Sequence, residues 1–219
     1  MPAMRRIVSR GLSTWRVVVC VFAGVSAYSG ANAQLRIEIT RGVDRPLPMA
    51  IVPFGWEGPG GEAPFDLTGL ISTDLRQSGR FDPLEDRDMI SRPTQPADVD
   101  FDDWRILEVD VLVIGGVAES GPGQYEIVFQ LFDVLRGEQL LGFRLTSAEN
   151  ELRAAGHRIA DMLFETLTGI PGVFNTRIAY VSQEGQGENS RYRLIVADAD
   201  GANPNIVADS PEPLMSPSW

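Results

Sequence analysis

The carboxy-terminal quarter of this sequence reads as the opening of a repeat, and a repeat constrains architecture more tightly than any single residue. Arg177-Ile178-Ala179-Tyr180-Val181-Ser182 is followed by a Gly/Glu/Gln/Asn loop and then by Tyr192-Arg193-Leu194-Ile195-Val196. The turn Asp198-Ala199-Asp200-Gly201 comes next, and the sequence closes on Ser216-Pro217-Ser218-Trp219. Short β runs punctuated by D-x-D-G and S-P-x-W are how one blade of a β-propeller begins. A single blade cannot bury its own faces and needs stacked neighbours. The pattern therefore predicts that these 219 residues are the front part of a longer protein.

The other end carries an export signal. Arg5, Arg6, Arg10 and Arg16 precede the apolar run Val17 to Val25, and Ala31-Asn32-Ala33 is an A-x-A site. This is the pattern of a secretory signal peptide over 1–33, cut between Ala33 and Gln34. The apolar run falls short of the roughly 20 residues that a membrane span needs. Arg5-Arg6 sits too far from that run for a good twin-arginine signal, and Val19 stands before Cys20 where a lipidation site wants a small residue. Cys20 is the single cysteine, so the mature chain has none. An exported protein without disulfides must be held by its core, which suits a bacterial periplasmic protein.

Every basic residue is arginine, and losing the four signal arginines takes the formal charge from -11 to -15. So acidic a chain is repelled by nucleic acid and by anionic membrane surfaces, and neither is an expected partner. No direct membrane insertion is expected after signal cleavage.

Between the two ends the hydrophobic period alternates between two and 3.6 residues. Leu35, Ile37 and Ile39 alternate with Arg36, Glu38 and Thr40, a half-buried or edge strand, and Met49 to Phe54 is a second strand by length and flanks. Trp56 to Pro64 is a Gly/Pro loop. Leu67, Leu70, Ile71 and Leu75 predict an amphipathic helix over Asp66 to Gln77, stopped by Gly79. Strand, loop and helix in this order suggest a βα unit on a sheet. Asp82 to Pro96 reads as irregular with a helical turn, and Asp102 to Glu108 as a short helix with Trp104 and Leu107 inward. Val109 to Val117, Tyr125 to Leu131 and Gln139 to Leu145 predict a three-stranded meander. Glu149 to Thr168 is the clearest helix, with Leu152, Ala155, Ile159, Met162, Leu163 and Leu167 on one stripe, Gly169 at the cap and Pro171 beyond. Asn150 or Ser147 is the expected cap at its start. The change of pattern at Gly169 to Val173 places a boundary there: 34–172 as an α/β domain and 173–219 as an incomplete first blade.

Few residues invite a chemical reading. His157 is the single histidine, off the main apolar stripe, which favours a packing or capping role over catalysis. No G-x-S-x-G elbow occurs. Asp98, Asp100, Asp102 and Asp103 resemble a calcium loop, but Asp103 stands where the glycine belongs and Val109 where the glutamate belongs. Asp198 and Asp200 before Gly201 read as hairpin turn formers. Gly58, Gly60 and Gly61 match no phosphate-loop spacing, and no lysine exists to reach a phosphate. No catalytic residue, metal site or cofactor is predicted.

The remaining motifs carry a resemblance. Gln34 to Asp44, Val52-Pro53-Phe54 with Trp56 and Gly58, Asp74-Leu75-Arg76 with Ser78-Gly79, and Ala155-Gly156-His157 resemble the TolB family, the periplasmic component of the Tol-Pal system. So do Leu167-Thr168-Gly169-Ile170, Arg177 to Val181, and Ser210-Pro211-Glu212-Pro213-Leu214-Met215-Ser216-Pro217-Ser218-Trp219, the last like the join into the family's Ser-Pro-Asp-Gly blade turns. The pieces keep the family's order over nearly all of the mature chain. The resemblance implies a mixed α/β domain, a sheet with flanking helices like the anticodon-binding fold, followed by the first strands of a six-bladed β-propeller. It implies a non-catalytic adaptor that binds inner-membrane TolA and outer-membrane Pal, supporting outer-membrane invagination at cell division and outer-membrane integrity.

By the same resemblance the TolA-binding segment is Gln34, Leu35, Arg36, Ile37, Glu38, Ile39, Thr40, Arg41, Gly42, Val43 and Asp44, released or tucked away according to Pal binding. An alternating strand near a free terminus suits either state. The contacts to Pal fall mainly on the propeller, largely outside these residues. The rival expectation is a propeller-containing periplasmic hydrolase whose catalytic domain lies outside this sequence.

Overall fold

The computed structural model describes residues 45–215 and residue 217. The strand expected at Leu35 to Thr40 and the cleavage site at Ala33 and Gln34 lie outside these residues. The fold opens with β1 (Leu47–Ile51) and β2 (Gly55–Glu57), then α1 (Leu67–Gln77) and β3 (Phe81–Pro83). Helix α2 (Phe101–Ile106) leads into three long strands, β4 (Val111–Gly121), β5 (Gln124–Asp133) and β6 (Glu138–Ala148), and then α3 (Leu152–Thr168). A second sheet comes after it: β7 (Arg177–Glu184), β8 (Arg191–Asp198) and β9 (Asn205–Ser210). No helix among the described residues is long and apolar enough to cross a membrane.

The first sheet is mixed, in the order β3-β1-β4-β5-β6, with β2 on the same edge of β4 as β1. Strand β1 runs parallel to β3 and to β4, so β1-α1-β3 is the βα unit expected, returning to the sheet beside its own first strand. Strands β4, β5 and β6 form the antiparallel meander. Two strands depart from the expectation. Gly55–Glu57 is a strand inside what reads as loop, because Gly55 pairs with Gly116 once β1 has left the edge of β4. Phe81–Pro83 is a strand inside an irregular stretch, since three residues on a sheet edge are too few to show a period.

Burial follows the pleat. Met49, Ile51, Val111, Val113, Ile127, Phe129 and Leu131 point to one face, where α1 and α3 cover them. Ala50, Val52, Leu112, Ile114, Phe132 and Val134 point to the other, closed by Trp104 of α2 and by Met89. Successive residues of a strand face opposite sides, so a strand buried on both faces reads as the unbroken apolar run seen in β4.

Helix ends obey local rules with one exception. Asp66 caps α1 by accepting from Gly69 N at 2.8 Å, and Asp100 caps α2 through Asp102 N at 3.0 Å. Gly169 closes α3 at φ 72°, where a side chain would be strained. The start of α3 differs from expectation: a 3-10 turn, Glu149–Glu151, precedes it and Glu151 holds the cap position with no side-chain hydrogen bond. Ser147 instead donates to its neighbour, Ala148 O.

The second sheet, β7-β8-β9, is antiparallel throughout. Ala197 is its buried hydrophobic, while Ile178, Tyr180, Ile206 and Val207 are exposed. Three strands with two such open faces are stable only with something to cover them.

Candidate functional site

The most unusual chemistry of the described residues lies where α3 meets the turn between β8 and β9. Helices α1 and α3 pack closely because α3 has Gly156 at the crossing. A β-carbon there would come within 2.7 Å of Leu70 and 3.2 Å of Leu67. The next residue, His157, thereby enters the helix interface and is 3 % exposed. This corrects the expectation that it lies off the buried stripe.

Its partner is Asp74 of α1, also 3 % exposed. Nδ1 of His157 lies 2.6 Å from Asp74 Oδ2. A carboxylate only accepts, so the ring donates from Nδ1 and turns Nε2 the other way. Nε2 has no hydrogen-bond partner among the described residues. It lies 3.7 Å from Oδ2 of Asp200, in the turn of the second sheet.

Asp200 is the hub of the joint. Its Oδ2 accepts from Arg153 Nη2, one helical turn before His157, and its Oδ1 accepts from Ala202 N at 3.0 Å. Arg153 Nε lies 4.0 Å from Asp198 Oδ2. Asp198 in turn accepts from Asn203 Nδ2 at 2.6 Å and faces Arg177 at 3.9 Å. The two aspartates of the D-x-D-G motif therefore do more than shape a hairpin. Gly201 does provide the turn, at φ 84°, but both carboxylates are spent on arginines and Asp200 reaches the buried ring as well.

A second clasp seats the connecting segment on the same helix. Asp161 accepts from Phe174 N at 2.7 Å and from Asn175 N at 3.2 Å. Phe164 is edge-on to Phe174 at 5.7 Å and to Phe81 at 5.8 Å. Helix α3 is thus fastened to the carboxy-terminal part of the chain at two points about two turns apart.

Burial pushes the Asp74 carboxyl above the usual carboxylate range, although the hydrogen bond and charge of His157 oppose it. Burial acts on Asp200 too, but the Ala202 N–H, Arg153 and His157 prevail and hold it below that range. A carboxyl depressed on folding contributes stability that is complete above its unfolded value and is lost as pH falls through its folded one. The gap in thermal midpoint between the wild type and Asp200→Asn is therefore expected to narrow as pH is lowered from about 5 to about 3. A constant gap would mean that the Asp200 charge does not hold the joint.

Of the residues singled out in the sequence, the structure brings together His157, Asp198 and Asp200. Of the four acids that resemble a calcium loop, Asp100 caps α2 and Asp102 pairs with Arg105, and no metal-binding cluster occurs among the described residues. The segment Gln34 to Asp44 lies outside them. Asp74 and Arg153 are new as site residues. Asp74 had left a signal, an acid three residues after Ile71 and seven after Leu67, in phase with the apolar face of α1.

Both sheets have counterparts among known proteins. The TolB amino-terminal domain model matches residues 35–140, and the TolB beta propeller domain model matches residues 164–219. The chain belongs to the TolB family. It is 45% identical over 190 residues to the Tol-Pal system protein TolB of Thioalkalivibrio sulfidiphilus, covering 87% of this chain and 44% of that protein. It is 46% identical over 188 residues to that of Nitrosococcus oceani, covering 85% and 43%. The crystal structure of TolB from Acinetobacter baumannii superposes with a TM-score of 0.68 at 33% identity, over 83% of this chain and 43% of that one. The chain thus spans less than half the length of these relatives. In TolB terms the six-stranded sheet belongs to the mixed α/β amino-terminal fold, and β7-β8-β9 are the first strands of the propeller.

Proposed function

We propose that this chain is the amino-terminal part of a non-catalytic, periplasmic, protein-binding component of the Tol-Pal system. It bridges inner-membrane TolA and outer-membrane Pal, and so supports outer-membrane invagination during cell division and outer-membrane integrity. What carries the reading is the presence of both TolB parts in their order on one chain, with relatives named Tol-Pal system protein TolB at 40–46% identity.

Residues 1–33 act as the export signal, and Gln34 to Asp44 form the TolA-binding segment, docked or released according to the occupancy of the propeller. A ligand can shift such an equilibrium only by binding the two states unequally, so the propeller must sense Pal and pass the difference to the α/β part. The joint at His157 and Asp200, where the turn between β8 and β9 meets α3, suits that task.

Removing residues 34–44 from the full-length mature protein is expected to abolish binding to TolA while the protein still folds and still binds Pal. Binding measured by calorimetry checks both halves. Retained TolA binding overturns the assignment of the segment.

A further inference from the structure

His157 is a titratable ring inside the contact between two parts of the chain, with a carboxylate on either side. Asp74 approaches it from α1 and Asp200 from the turn of the second sheet. On its own helix Arg153 stands one turn away and is already committed to Asp200. Asp198 and Arg177 lie outside these and engage Arg153 and each other rather than the ring.

We propose that His157 makes the joint between α3 and the first blade proton-gated: tight when the ring carries two protons, loosened when it carries one. The doubly protonated ring donates at Nδ1 to Asp74 and presents a positive N–H at Nε2 to Asp200. On losing one proton the ring keeps Nδ1–H, because Asp74 is the nearer and more buried acceptor. Nε2 then turns a bare lone pair towards the Asp200 carboxylate, 3.7 Å away. An attraction across the joint becomes a repulsion in a site from which water is excluded, where charge interactions are strongest. The remaining link is Arg153 to Asp200. Nε2 is buried without a hydrogen-bond partner among the described residues, as expected of an atom whose favourable contact depends on gaining a proton.

The gate belongs to the chain's own joint and operates whichever proteins the molecule binds. It is tested on the full-length mature protein by amide hydrogen exchange between about pH 5 and about pH 8, the interval in which imidazoles change charge. After correction for intrinsic rates, protection of Ala202 N, which bonds to Asp200, is expected to fall severalfold across that interval. In His157→Gln, which keeps a donor but cannot titrate, the protection is expected to be flat. An equal fall in His157→Gln, or no fall in the wild type, overturns the proposal.

A second measurement needs no variant. Nitrogen spectra of the ring, assigned through its contacts to α1, are expected to show both nitrogens protonated at the acid end and Nδ1 alone at the alkaline end. A proton retained on Nε2 with Nδ1 bare overturns the proposal as well.

Discussion

His157→Ala is expected to destabilise the protein by about 3 kcal/mol, the scale of breaking a buried charged pair from one side. The cost comes from the group left behind. Asp74 is 3 % exposed, and once the ring is gone its Oδ2 faces a small void between α1 and α3 instead of a donor at 2.6 Å. An uncompensated buried carboxylate must take up a proton or admit water, and either disrupts the packing of Leu67, Ile71 and Leu75 on α3. Urea unfolding followed by tryptophan fluorescence reads the loss directly. Because the two residues act on each other, Asp74→Ala combined with His157→Ala is expected to cost less than the sum of the single changes. A single-mutant loss below about 1 kcal/mol would place the pair among solvated surface pairs.

Trp104→Ala is expected to cost more, about 4 kcal/mol, on the other face of the sheet. Trp104 is fully buried and is the largest side chain over Ala50, Val52, Leu112 and Ile114. Helix α2 is only six residues long, too short to be stable alone, so it is held by this anchor and by Arg105 donating to Val134 O at 3.1 Å. Truncation leaves a cavity that the strands cannot collapse to fill.

Trp104 Nε1 has no hydrogen-bond partner among the described residues, so Trp104→Phe keeps much of the volume and removes an unpaired donor. It is expected to cost about 1.5 kcal/mol, well under half the loss from alanine. Chemical unfolding of both variants gives the comparison. Equal losses would mean that the indole N–H is satisfied and that its bond outweighs the volume.

The three helices, the meander and the first two blade strands, β7 and β8, were legible because each declares itself by a local period. Leu67, Ile71 and Leu75 recur on one side of α1, and Tyr125, Ile127, Phe129 and Leu131 alternate along β5. Where no period could develop, no strand could be read. Gly55–Glu57 and Phe81–Pro83 are strands of three residues each, defined by the neighbour they pair with rather than by their own pattern.

Family membership was legible for a related reason: Arg177 to Val181 and the Ser210 to Trp219 stretch keep their spacing because turns and short strands need particular residues at particular offsets. The joint was only half legible. His157 and the D-x-D-G turn stand out as unusual residues, but their chemistry is relational. An imidazole on a helix looks like a surface polar group until the facing helix contributes an acid, and an aspartate in a tight turn already has a sufficient local explanation.

The amino-acid sequence alone therefore determined the helices, the longer strands of the meander and the apolar faces they carry, because side-chain periodicity and turn chemistry act over a few residues. Only the tertiary structure decided that Asp74 and His157, 83 residues apart, and Arg153 and Asp200, 47 apart, form one charged cluster. A carboxylate, a ring and a guanidinium become a joint when packing removes water from among them, and water is removed by the apolar neighbours that bring α1, α3 and the β8–β9 turn together.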